Sequence, residues 1–86
     1  MAFLLTVDGL QIPFVDPHDL DDLQKAVGGN IEYVPLPKTS ACLFMYCNEE
    51  GKLKGLQPNW FATALIDFPD TIVGDVVIME KDDEEE

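Results

Sequence analysis

Residues 41–47, Ala-Cys-Leu-Phe-Met-Tyr-Cys, are seven successive apolar side chains, and this run constrains the fold more than any other stretch. Side chains alternate between the faces of a strand, so an unbroken apolar run demands cover on both faces. Its length and aromatic content favour a strand over a helix. Ala41–Cys47 is therefore predicted to be an inner strand with Phe44 buried. Val76-Val77-Ile78-Met79 is a second such run, expected beside it. Asn48-Glu49-Glu50-Gly51 follows the first run as a turn, with Gly51 suited to a left-handed position. Cys42 and Cys47 are five apart and fall on opposite faces of the strand, so they cannot bridge within it. With no C-x-x-C and a single histidine, His18, buried thiols are expected and a metal site is not.

The flanking segments supply the other elements. Phe3–Val7 and Leu10–Val15 are apolar runs joined by Asp8-Gly9, a pair favoured in type I′ hairpin turns. Pro13 lacks an N–H, which places the second of these strands at an edge. Asp16-Pro17-His18-Asp19 reads as a helix start, with Asp16 as cap and Pro17 at the first helical position. Leu20, Leu23 and Val27 follow at helical spacing, and Gly28-Gly29 stops the helix. Ile31–Leu36 reads as a strand and Lys52-Leu53-Lys54 as a short one. Asn59 is the predicted N-cap of a second helix, Trp60–Ile66, which is apolar nearly all round and so is expected to be buried. Phe68-Pro69-Asp70 ends it.

The predicted order is β-β-α-β-β-short β-α-β. Without βαβ alternation this is an α+β fold, a small mixed and largely antiparallel sheet with two helices packed on it. Apolar residues are 47% of the 86, enough for a core and not for disorder. Residues 1–80 form one domain in this reading. Residues 81–86 form an acidic tail with nothing to bury, expected to be mobile and dispensable to the fold.

Charge excludes several functions. Seventeen Asp and Glu face five Lys and no Arg, a formal charge of −12. The tail holds five of these acids, and the rest of the chain still carries −8. Direct binding to nucleic acid needs cations to neutralise phosphates, and an anionic membrane would repel this surface. No apolar run reaches the length of a membrane span. Residues 1–8 have neither the basic nor the apolar region of a signal peptide, so an intracellular location is expected.

Chemistry-bearing residues are sparse. Ser40 lies in a presumed loop without a G-x-S-x-G setting, and His18 has no nucleophile partner in sequence. The adjacent acids Asp21-Asp22 and Glu49-Glu50 fit solvated surfaces. No catalytic, metal or cofactor site is predicted, and no enzyme is expected. The one candidate binding site joins Lys52, Lys54, Asn59 and Thr63. Two lysines precede a helix start, whose free N–H groups favour an anion. Thr63 falls one turn beyond Asn59, on roughly the same face. The ordinary reading of the same residues is an edge strand kept soluble by lysine, followed by a helix cap.

Four blocks carry a family resemblance. Val27-Gly28-Gly29-Asn30-Ile31-Glu32-Tyr33-Val34 comes first, then Cys47-Asn48-Glu49-Glu50-Gly51-Lys52-Leu53. Asn59 with Ala62-Thr63 and Ile72-Val73-Gly74-Asp75-Val76 follow in order. The chain here resembles the domain of unknown function family 3846, over roughly residues 24–79. The N-terminal hairpin and the tail lie outside that resemblance. The resemblance implies a small accessory protein of phages, other viruses or bacterial mobile elements. It implies no activity and no catalytic residues.

Two functions are therefore expected to compete. The first is a non-enzymatic interaction protein that occupies a basic host partner, in its strongest form mimicking nucleic acid with carboxylates. The second is a protein that binds or sequesters a nucleotide or other anion around Lys52, Lys54 and Asn59.

Overall fold

Val76, Val77 and Ile78 are almost completely buried on successive positions, so their strand is covered on both faces. The computed structural model describes residues 2–13, 20–36, 43–66 and 69–80. In chain order its elements are β1 (Ala2–Leu5), β2 (Gln11–Pro13), α1 (Leu20–Val27), β3 (Ile31–Pro35), β4 (Leu43–Asn48), α2 (Trp60–Thr63) and β5 (Val76–Glu80). They build a five-stranded sheet in the order β2-β1-β5-β4-β3. Every pairing between these strands is antiparallel. The fold is α+β, as the sequence predicts.

Alternation along β5 divides the core. Val76 and Ile78 face a cluster with Leu5, Met45, Cys47, Ala62, Ile66 and Ile72. Val77 faces the other side, where Leu23 and Val27 of α1 pack with Ala2. One face is thus covered by α1, the other by α2 and the segments around it. Both α1 residues belong to the helical spacing read in the sequence. Gly28 ends α1 at φ +83°, and the N–H groups of Gly28 and Gly29 both donate to the Gln24 carbonyl. That is the left-handed stop the Gly-Gly pair implies.

Several details differ from expectation. Asp8-Gly9 makes a three-residue loop, Val7–Gly9, closed by Thr6 N–H to the Leu10 carbonyl at 3.0 Å. Only then does a single left-handed glycine suffice, and Gly9 supplies it at φ +89°. Lys52-Leu53-Lys54 is no strand. It lies in consecutive turns, with Lys54 N–H donating to the Glu50 carbonyl and Leu56 N–H to that of Gly51. Strand-like alternation misled here because Leu53, at 89% exposure, packs against nothing. The left-handed residue of this segment is Gly55, not Gly51. Gly51 is required for space: a β-carbon there would sit 2.6 Å from Val73 Cγ2.

α2 covers four residues rather than seven, and of these only Ala62 is buried. β4 is an inner strand beside β5, as predicted, but β5 holds the centre. Phe44 is half-buried because it faces α1's side of the sheet, where Tyr33 and Tyr46 share its cover. The Tyr33–Phe44 ring centroids are 5.2 Å apart and those of Phe44–Tyr46 5.4 Å. The predicted helix start at residues 16–19, with His18, lies outside the described residues, as do Ser40, Cys42, Phe68 and the tail.

Candidate functional site

Asn59 follows Pro58 at the start of α2 and is completely buried. Its Oδ1 accepts from the Ala62 N–H at 3.0 Å, the predicted cap. Its Nδ2 donates to the Leu5 carbonyl at 3.1 Å and the Gly74 carbonyl at 2.9 Å. Its backbone N–H donates to the Ile72 carbonyl at 2.7 Å. One side chain therefore ties the end of β1, the start of α2 and the approach to β5. No donor is left over for a ligand.

Thr63 completes the same knot. Its hydroxyl donates to the Asn59 carbonyl at 2.9 Å and accepts from the Ile72 N–H at 2.9 Å. The structure thus brings Asn59 and Thr63 together, facing inward. Asn48, buried at the end of β4, plays a parallel part. Its Nδ2 donates to the Val27 carbonyl at 3.1 Å and its Oδ1 accepts from the Glu50 N–H at 2.8 Å. It fastens α1 to the turn after β4.

The two lysines go elsewhere. Lys52 forms an ion pair with Asp70, which also accepts from the Thr71 N–H at 2.7 Å. The hydrogen bond from Lys52, then that from Thr71, hold the exposed Asp70 carboxyl below its ordinary pKa. Lys54 Nζ reaches the Gly28 carbonyl at 3.4 Å, at the C-terminal end of α1 where a cation is favoured. Both exposed lysines thus have intramolecular partners, a carboxylate for Lys52 and a backbone carbonyl for Lys54. An incoming anion has to compete with them.

Beside the Lys52–Asp70 pair is a cleft of about 130 Å³. Glu32, Glu49 and Glu50 line it with Lys52 and Asp70, and Cys47 lies at its floor. Burial first, then the charges of Glu32 and Asp70, push the Cys47 thiol up to about 11. It is protonated at neutral pH and a poor nucleophile. Among the described residues no group of His, Cys, Asp and Glu is arranged to hold a metal ion. No described helix is long and apolar enough to cross a membrane.

The spacing of the sequence concealed three of these features. Asp70 lies 18 residues from Lys52, and nothing local marks it as the partner. Asn48 reads as a turn residue, which it is, but its burial follows from the packing of α1. Trp60 and Phe61 were expected inside and are exposed, because a one-turn helix presents only one residue to the core.

A sequence model of the family described as "Domain of unknown function (DUF3846)" matches residues 1–86. The chain belongs to this family. The match takes in the N-terminal hairpin and the acidic tail, which the four blocks left out. No curated protein and no solved structure matches the chain. In this DUF3846 protein three polar members of the blocks, Asn48, Asn59 and Thr63, join elements, while Glu32, Glu49, Glu50 and Lys52 of the same blocks line the cleft. Gly74, at φ +81°, approaches Leu56 where a β-carbon would meet Leu56 Cδ1 at 2.8 Å.

Proposed function

We propose that this DUF3846 protein works by binding a basic protein partner, and that it is not an enzyme. The observation that carries this reading is the cleft rimmed by Glu32, Glu49, Glu50 and Asp70, with Lys52 as the only cation among the described residues that line it. Those four carboxylates are exposed, as are Asp8, Asp21, Asp22 and Glu80. A Lys or Arg head entering the cleft meets a net negative field and several acceptors. The overall charge of −12 steers such a partner from a distance. Asn48, Asn59 and Thr63 are bonded within the fold, whereas Glu32, Glu49 and Glu50 of the same family blocks stand exposed at the cleft, which favours the acidic surface as the working part.

In this reading the chain is a small viral or phage accessory protein that occupies a basic surface of a host protein inside the cell. The test is capture of partners from the native host with the wild-type protein and with Glu49→Lys/Glu50→Lys. The two glutamates sit on a turn tip, so the variant is expected to fold. It should lose a partner that the wild type retains at low salt. Equal capture by both proteins contradicts the reading.

Anion or nucleotide binding at Lys52 and Lys54 is the competing reading, and the Asp70 and Gly28 contacts weigh against it. A bound nucleotide at 100 times its Kd would add about 2.7 kcal/mol to stability. A thermal-shift screen at millimolar nucleotide is expected to show no such gain.

A further inference from the structure

Trp60 and Phe61 make up half of α2, and both lie at the surface. Trp60 is 63% exposed and Phe61 53%, while Ala62 beside them is fully buried. Together they leave roughly 200 Å² of aromatic surface in water. Tryptophan in such a position is disfavoured by solvation and favoured by recognition: it is the residue type most enriched among binding hot spots.

The backbone that carries the pair is anchored. Asn59, the residue before Trp60, makes the buried hydrogen bonds that fix the start of α2. The Phe61 ring rests on the hairpin loop: a β-carbon on Gly9 would lie 2.7 Å from Phe61 Cζ. Glycine at this point serves both the loop and the ring contact. Asp8, next to Gly9 in that loop, is exposed and acidic. The aromatic pair thus lies against the hairpin loop, with an acidic residue at its border.

We propose that Trp60 and Phe61 form a docking surface for a cationic amphipathic segment of a protein partner. The apolar side of such a segment covers the aromatic pair, and its Lys or Arg residues face Asp8 and the wider acidic surface. Charge complementarity selects this occupant. A second copy of the chain brings another −12 and is repelled, as are nucleic acid and anionic lipid. Presentation on an anchored backbone lowers the ordering cost of binding. The inference rests on the basic-partner reading and assigns it a surface distinct from the acidic cleft.

Two fluorescein-labelled 18-residue peptides test it. One is an amphipathic Lys/Leu helix, and the other has the same lysines with every Leu replaced by Ser. Trp60 is the only tryptophan, so its emission reports on the surface directly. The Lys/Leu peptide should bind at least about tenfold more tightly by anisotropy and shift Trp60 emission to the blue. The double variant Trp60→Ala/Phe61→Ala should lose about tenfold or more toward the Lys/Leu peptide alone, while still melting in one cooperative transition. The single variants Trp60→Ser and Phe61→Ser, each expected to lose about threefold or more, guard against a folding defect in the double one. Tighter binding that survives all three variants overturns the surface. So does equal affinity for both peptides with unmoved Trp60 emission, which leaves the basic-partner reading standing. Binding of neither peptide overturns both.

Discussion

Asn59 shows how far a single residue can be read from its neighbours. Pro58-Asn59 before an apolar stretch predicts a cap, and the cap is there. The Nδ2 bonds run to carbonyls 54 and 15 residues away, and no local pattern contains them. They change the expected energetics. A lost cap alone costs about 1 kcal/mol. Here Asn59→Ala also strips two buried carbonyls of their donor, at about 1–3 kcal/mol for each group left unsatisfied. Equilibrium denaturation of Asn59→Ala should show a loss of about 3 kcal/mol or more. Asn59→Asp keeps the cap but sets a carboxylate against the Leu5 and Gly74 carbonyls, and should also unfold more readily at neutral pH.

Cys47 offers a second residue-scale test. Its pKa is about 11 in the fold, against 9.0 for a free thiol. Between these values the unfolded chain has lost the proton and the folded chain keeps it. Stability attributable to Cys47 is therefore complete below about pH 9 and falls as pH rises toward 11, by about 2–3 kcal/mol in all. In a Cys42→Ser background the remaining thiol should resist alkylation at pH 8 until denaturant is added. Rapid labelling of the folded protein contradicts the burial.

At the scale of elements, the strands were legible because they obey short periods. β3, β4 and β5 fall within a residue or two of their apolar runs, and α1 stops at its glycines. The misreadings have a common cause: cover is decided by which element packs where. β4 was expected to be buried on both faces, yet α1 covers β5 more completely than Phe44. Phe44→Ala should therefore cost about 1–2 kcal/mol, less than the roughly 3–5 kcal/mol of a fully buried Phe. Ile78→Ala, at the sheet centre, should cost about 2–5 kcal/mol. A larger loss for Phe44 than for Ile78 in urea titrations would mean the sheet order is wrong. Gly51→Ala checks the turn after β4. Its new methyl meets Val73, and overpacking there should cost about 1–3 kcal/mol. The candidate site was half legible for the same reason. Asn59 and Thr63 meet because they share a helical turn. Lys52 and Lys54 leave them because the turns of residues 49–55 send the lysines to Asp70 and to the end of α1.

The whole molecule is governed by its charge, which sequence alone gives. Excess negative charge opposes compaction, and salt screens it. The melting temperature should rise by about 5 °C between 20 and 500 mM NaCl, where a neutral domain would barely move. The same screening should weaken recognition. The most direct measurement is the affinity of the wild-type protein for its captured host partner across 50 to 500 mM NaCl. Binding through the acidic surface predicts a fall of about tenfold or more over that range. An affinity that stays constant across it would contradict recognition by charge.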